Sequence, residues 1–378
     1  MFVRVIRRTA LQKLMIGLLF AAAAALLLCR PQAVATGVSR GLSVCTRIII
    51  PTLYPFMLLA ALLAGSPLCR APGRLADAVT RRLFGLPGCC GPAILIALVG
   101  GYPAGAVAIS RLREQEQITR QQARQMSRFC VNGGPGFIIG TVGSGLLGSA
   151  QAGVLLFAAH AAVSVAVGIW LGHRARGKAE RAARRAADVL PAAEHGGIAA
   201  AVGSTCGALL QLCGFVVLAS AVLSLLDGSG IAPALARLTG LSPQALRSAT
   251  AALLEVSSGC IALSGSGTLA PFWLSLCIGF GGLSVHGQIA ALLGGDGIPD
   301  RMFFLYRVFH GVASGGLALL LFRLFPAVDT AASASASLGG GIAPVSTSLS
   351  ASLALLVFTF AVMLCLPIGR PGERQKKD

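Results

Sequence analysis

Apolar blocks of roughly 16 to 28 residues, the length that spans a hydrocarbon core about 30 Å thick, alternate along this chain with short basic stretches. The first, Leu14 to Cys29, follows Arg4, Arg7, Arg8 and Lys13 and reads as an uncleaved helix rather than a signal peptide, although Ala33-Val34-Ala35 resembles a cleavage site. The block at 48–65 carries Pro51 and Pro55, which predict a bent or broken helix. The next, at 91–110, is interrupted by Gly100-Gly101-Tyr102-Pro103-Ala104-Gly105. Residues 111–128 are polar with helical spacing of Leu112, Ile118 and Met126, and predict a cytoplasmic surface helix. They run into Asn132-Gly133-Gly134-Pro135, which no continuous helix accommodates, so 129–140 predicts a re-entrant hairpin or a broken helix. Inside a bilayer such a break is tolerated only where protein or a watered cavity re-satisfies the backbone.

A span at 154–172 leads into the most basic loop, 173–197, with Arg174, Arg176, Lys178, Arg181, Arg184 and Arg185. Beyond it, 198–226 is either one tilted helix or a short helix with a break near Gly214, and 228–250 predicts a loop with short amphipathic helices. Two apolar runs with polar centres follow at 251–267 and 269–294, then a helix at 311–325. The Ser/Ala/Gly-rich stretch 327–348 contains no Lys or Arg and reads as a non-cytoplasmic loop before a last helix at 349–367 and a basic tail. The class is therefore an all-α polytopic integral membrane protein, with both termini cytoplasmic.

Composition narrows the functions open to it. Of the 378 residues 55% are hydrophobic and 12% charged, against about 25% charged in a soluble domain, which excludes an ordinary soluble enzyme. The net charge of +18 comes from 31 Lys and Arg concentrated between apolar blocks, where they act as topology determinants. Basic residues interleaved with aromatics, as base stacking requires, are missing, so no nucleic-acid partner is expected. The eleven Cys form no CxxC pair or Cys/His cluster and read as packing residues, with no metal site. HExxH and GxxxxGK[ST] are absent, so neither an enzyme nor an organic cofactor is expected. A coupling H+ or Na+ stays open.

The chain also matches itself. TLYPFMLLAALLAG (52–65) aligns with QLCGFVVLASAVLSLL (211–226), LVGGYPAGAVAIS (98–110) with LLEVSSGCIALSG (253–265), and CVNGGPGFIIGTVGSGLLGS (130–149) with CIGFGGLSVHGQIAALLGG (277–295), at offsets of about 150 to 160 residues. The organisation that follows is an N-terminal segment 1–46, a first repeat 47–172, a basic cytoplasmic linker 173–197, a second repeat 198–326, a loop 327–348 and a C-terminal helix and tail 349–378. Interrupted apolar segments at matching places in two halves point to a binding site between them.

Glu255 is the one acid of thirteen that lies deep in an apolar block, where a charge costs at least about 2.5–3.5 kcal/mol. Ser257 and Ser258 stand beside it. Asn132, Gly133 and Gly134 form the corresponding break of the first half, and Ser284, His286 and Gln288 lie in GFGGLSVHGQ. These nine are the candidate substrate-binding residues, because uncharged amides and close backbone orient a polar ring without a buried net charge. Arg128, Arg307 and His310 are candidate charges at a mouth, whereas His160, alone on its apolar helix, reads as a packing residue.

The order IPTLYPFMLLAALL, GGYPAGA, an Arg/Gln-rich helix, FCVNGGPGFIIGTVG, LLEVSSGC and GFGGLSVHGQ resembles the sporulation integral membrane protein YlbJ family, which carries a nucleoside-recognition Gate domain. The resemblance covers residues 40 to 325. It departs at Gly133, where the family commonly has Ser or Thr before Gly-Pro, so no hydroxyl stands there, while Asn132 is kept. It implies Gate-like repeats similar to the core of concentrative nucleoside transporters, and a role in endospore formation at the outer forespore membrane, tied to passage of dipicolinic acid. The expected partners are the bilayer, a small molecule (dipicolinate or a nucleoside), and a further copy of the chain or another sporulation membrane protein. A membrane scaffold for the spore cortex or envelope, in which the polar residues only tie helices together, is the alternative from a different class.

Overall fold

The computed structural model describes residues 30–65, 74–186, 198–228 and 231–325, with scattered positions between Met15 and Cys29. The predicted loop at 327–348, the last helix and most of the first lie outside the described residues. Every regular element among them is helical, in the order α1 (Pro31–Val44), a π-turn (Cys45–Ile49), α2 (Ile50–Gly65), α3 (Arg74–Phe84), α4 (Cys90–Gly100), α5 (Tyr102–Glu114), α6 (Arg120–Cys130), the π-helical α7 (Gly136–Leu146), α8 (Ala150–Ala186), α9 (Ile198–Gly228), α10 (Ile231–Thr239), α11 (Pro243–Leu254), α12 (Val256–Leu263), α13 (Ala270–Phe280), α14 (Gly282–Leu293) and α15 (Arg301–Leu324). Five stretches of described helix are long and apolar enough to cross a membrane: 31–62, 150–174, 198–227, 267–293 and 301–324. The protein is an all-α polytopic membrane protein.

Several elements differ from the sequence expectation, each for a local reason. Pro51 and Pro55 do not break their helix. The π-turn directly before Pro51 widens the coil where a proline ring would otherwise press on the preceding turn. Residues 111–128 are not one surface helix: α5 ends at Glu114 and α6 restarts behind a capping box, in which Thr119 Oγ1 accepts from Gln122 N at 3.2 Å and Gln122 Oε1 accepts from Thr119 N at 2.7 Å. The α6 face bearing Ala123, Met126 and Phe129 is buried, and Gln125 donates to the Phe84 carbonyl at 2.8 Å. The expected loop after 172 opens as fourteen further residues of α8, because its Ala and Arg are strong helix formers. The α9 helix passes Gly214 without a break. Finally, α15 starts at Arg301 rather than 311, with Asp300 accepting from Phe303 N at 2.7 Å as its N-cap.

Lipid tails are as apolar as Leu, so helices in a bilayer associate through close packing rather than through the hydrophobic effect. Here glycine permits the closest approaches. A Cβ on Gly37 of α1 would lie 2.6 Å from Ala221 Cα of α9, and one on Gly41 2.7 Å from Val217 Cα. Along α13 and α15, a Cβ on Gly279 would lie 2.2 Å from Gly311 Cα. Helix α8 packs against α6, α7 and α15, so α8 and α15 form the frame on which α6, α7 and α13 sit. Gly279→Ala is expected to lower stability by about 1–3 kcal/mol, the ordinary cost of overpacking. Gly316→Ala on α15, whose Cβ would meet nothing within 4 Å, is expected to stay within about 0.5 kcal/mol. Thermal unfolding in detergent compares the two, and equal midpoints would refute the packing account.

Candidate functional site

Four helices are interrupted, and their ends meet. Between α4 and α5 the chain turns at Gly101, whose φ of +81° suits glycine. Between α6 and α7 it runs unwound from Val131 to Gly134. Between α11 and α12 a single extended residue, Glu255, makes the break, and between α13 and α14 Gly281 and Gly282 do so at φ +87° and +72°. The breaks touch in pairs: a Cβ on Gly101 would stand 2.8 Å from Gly134 N, and one on Gly282 3.1 Å from Glu255 Cα. Tyr102 joins the pairs, its ring against Gly281 and its hydroxyl donating to the Ile278 carbonyl.

Each break frees backbone groups that lipid cannot satisfy. Arg307, reaching in from α15 and fully buried, satisfies two of them. Its Nη1 donates to the Val131 carbonyl and, at 3.1 Å, to Asn132 Oδ1, while Nη2 donates to the Gly279 carbonyl. The guanidinium thus clips the C-terminal end of α6 to that of α13. Helix C-termini carry partial negative charge, and no carboxylate among the described residues pairs with Arg307. The Asn132 amide is fixed from the other side: Nδ2 donates to the Phe129 carbonyl and, at 2.8 Å, to Ser164 Oγ of α8, which itself donates to Phe129 O at 2.5 Å.

Glu255 is the mirror case, an acid compensated by a helix N-terminus. It is fully buried and caps α12, with Oε1 accepting from Ser257 N at 2.8 Å and Oε2 from Ser258 N at 2.7 Å. Ser257 and Ser258 therefore serve first through their backbone amides, and their hydroxyls also face the carboxyl. Gly133 and Gly134 leave no room for a side chain, since a Cβ would meet Ile278 Cγ2 at 3.0 Å or Gly101 N at 2.9 Å. On α14, His286 Nε2 bonds the Phe280 carbonyl at 2.9 Å and its ring stands edge-on to Phe280, Phe303 and Phe304. Ser284 and Gln288 are buried nearby on the same helix. Two nitrogens here, His286 Nδ1 and Gln288 Nε2, are buried without a hydrogen-bond partner. A cleft of about 840 Å³ runs beside the breaks, lined in part by Ser248, Trp273, Cys277 and Phe280.

Of the three charges placed at a mouth, Arg128 alone lies near the surface, 3.6 Å from Asp300 and over the Tyr306 ring. Arg307 and His310 do not lie at a mouth, because α15 begins ten residues earlier than expected and turns both into the interior. Sequence reading also passed over Tyr102 and Ser164. The first had a signal, as the hydroxyl directly after the Gly101 break. The second, one small polar residue on an apolar helix, had none.

This architecture defines a polytopic helical membrane protein whose interrupted helices converge on two buried, unpaired charges. Over 337 residues the chain is 28% identical to the sporulation integral membrane protein YlbJ of Bacillus subtilis (strain 168), an alignment covering 82% of this chain and 83% of that protein, to which it is therefore similar over nearly its whole length. No family model and no solved structure matches it.

Two consequences are measurable. Arg307→Met leaves two carbonyls and an amide oxygen unpartnered, each costing about 1–3 kcal/mol, so the detergent-solubilised variant is expected to unfold well below the parent. Arg307→Lys, a point charge without the fork that spans both carbonyls, is expected to recover only part of that loss. Parent-like stability of the Met variant would remove the clip from the account. Glu255→Gln replaces one acceptor with a donor facing a backbone N–H, and is expected to cost about 1–2 kcal/mol. Amide exchange at Ser257 and Ser258 should rise with it, and unchanged protection there would show that the carboxylate is not the cap.

Proposed function

We propose that this protein is a transporter that moves a small aromatic dianion, dipicolinic acid, across the outer forespore membrane during endospore formation, by alternating access between residues 47–172 and 198–326. The carrying observation is a buried guanidinium with no carboxylate partner, held where four interrupted helices meet. A carboxylate brought there meets a full positive charge in a water-poor site, where the attraction is strongest. Gln288 Nε2 and His286 Nδ1 lie on a helix beginning at the same breaks, and donors or acceptors without protein partners suit a ring nitrogen and a second carboxylate. The family relation supplies the setting, since the B. subtilis relative is named a sporulation integral membrane protein. Transport asks for no covalent chemistry, cofactor or resident metal, only two accessible states of one site. The basic 173–197 segment and both termini lie on the cytoplasmic side in this reading.

Glu255 variants disturb a helix cap, so Gln288 is the cleaner probe of the site. Its amide nitrogen makes no hydrogen bond among the described residues. Wild-type protein in liposomes is expected to take up dipicolinate saturably, and Gln288→Leu to lose about tenfold in uptake efficiency, the effect of about 1.4 kcal/mol of lost binding, with unchanged thermal stability. Saturable uptake of uridine that dipicolinate does not compete with, and no uptake of dipicolinate, would transfer the site to nucleosides. Absence of uptake of either under sodium, proton and potential gradients would leave a scaffold of the spore envelope as the account.

A further inference from the structure

Two histidines outside the breaks face each other across the frame of the molecule. His160 of α8 and His310 of α15 are 1% and 0% exposed, with Nδ1 of His160 3.1 Å from Nε2 of His310 and ring centroids 5.2 Å apart. Their outer nitrogens, His160 Nε2 and His310 Nδ1, are buried without a hydrogen-bond partner among the described residues. A neutral imidazole has one N–H and one lone pair. Whichever ring donates in the inner contact, the neutral pair leaves one outer lone pair and one outer N–H unsatisfied. A structural hydrogen bond between helices has no need of that arrangement, and two rings that pass a proton require it.

From this geometry we propose that His160 and His310 form a proton-binding pair whose charge is coupled to the anion held at the breaks, so that the protein carries a proton with its anionic cargo. The proposal rests on the transport reading above. The proton adds to the bare outer nitrogen of one ring. The inner N–H of that ring then passes across the 3.1 Å contact to the facing nitrogen, and the far ring releases the proton on its own outer nitrogen. One proton enters and one leaves, and both rings end neutral in the opposite tautomers. Between entry and release the pair holds one positive charge.

That charge is read by its surroundings. Arg307, one helical turn before His310 on α15, is the charged side chain whose field reaches both rings, and each ring also faces the other. Helices α6, α8 and α13, which pack on α15, bring no carboxylate to the pair among the described residues. Arg128 of α6 is turned to Asp300, and Ser275 of α13 supplies a buried, uncharged hydroxyl. A proton on the pair therefore places a second cation beside Arg307, which weighs against the proton while the site is empty. An anion at the breaks offsets both charges, so anion and proton each raise the affinity for the other by the same factor. The network reaches the pair from both sides: His160 stands one turn from Ser164, which holds Asn132, and Ser314 donates to the His310 carbonyl at 2.6 Å.

Nitrogen-15 spectra of histidine-labelled full-length protein in detergent, recorded with and without saturating dipicolinate, test the pair apart from transport. The anion is expected to raise the pH at which the two rings take up their shared proton into the histidine range of about pH 5 to 8, and His310→Gln is expected to abolish the joint behaviour at His160. Two imidazoles that stay neutral with fixed tautomers across that range with dipicolinate present overturn the proposal, whatever transport shows. In liposomes, acidifying the side of dipicolinate addition is expected to speed wild-type uptake at least about fivefold, the low end of ordinary couplings, and to leave a correctly folded His160→Gln or His310→Gln protein nearly indifferent. Uptake by the wild type that ignores the gradient overturns the coupling. Absence of uptake under every gradient overturns the transport reading instead, and the coupling with it, and leaves proton binding to be decided by the spectra.

Discussion

Backbone groups released by a broken helix cannot be left to lipid, and that constraint organises the structure. Four interruptions inside apolar segments expose carbonyls at the ends of α6 and α13 and amides at the start of α12. The chain answers these with polar side chains: Arg307 and Tyr102, from other helices, on the carbonyls, and Glu255, from the break itself, on the amides. Both buried charges follow from this one requirement. The cation sits where helix C-termini point and the anion where a helix N-terminus points, so each is compensated by partial charges of the backbone rather than by the other.

Glycine makes the arrangement geometrically possible. Gly101, Gly281 and Gly282 take positive φ, and at Gly134 and Gly282 backbone touches backbone across the two pairs of breaks. Arg307 then ties α6 to α13 through a single planar group anchored on a third helix. Displacement of α13 along α15 stretches one of its bonds while the others hold, which is the condition for two discrete arrangements rather than a continuous slide. For the proposed transport, the clip is thus the element whose two states a ligand would bias.

Much of this architecture is legible in the sequence because breaks have their own chemistry. Gly-Gly-Tyr-Pro, Asn-Gly-Gly-Pro and Gly-Phe-Gly-Gly within apolar runs announce interruptions, and a lone Glu in such a run announces a compensated charge. What the sequence hides is the partner of each break. Arg307 lies in RMFFLYRVFH, where two arginines and a histidine depress the hydropathy and make the start of a span look like a loop. Its charge is tolerated because folding brings two carbonyl ends to it from 28 and 176 residues away, and no local pattern encodes that meeting. The His160 and His310 pair was hidden for the same reason: each residue is isolated on its own helix, and only the crossing of α8 and α15 joins them.

The way Arg307 is held also bears on which cargo it would favour. Were it paired with Glu255, an incoming anion would have to displace a carboxylate and leave an acid uncompensated in the membrane. Its actual partners are two backbone carbonyls and an amide oxygen, all neutral. The guanidinium already makes charge-assisted bonds to these neutral acceptors, and a substrate carboxylate in place of one of them adds the Coulomb attraction of a full negative charge, while the freed carbonyl needs a new donor. Gln288 Nε2, buried and without a partner among the described residues, is the donor the proposal assigns to the cargo itself. A neutral cargo brings no countercharge to Arg307, which is the physical reason the proposed site would favour an anion over a nucleoside.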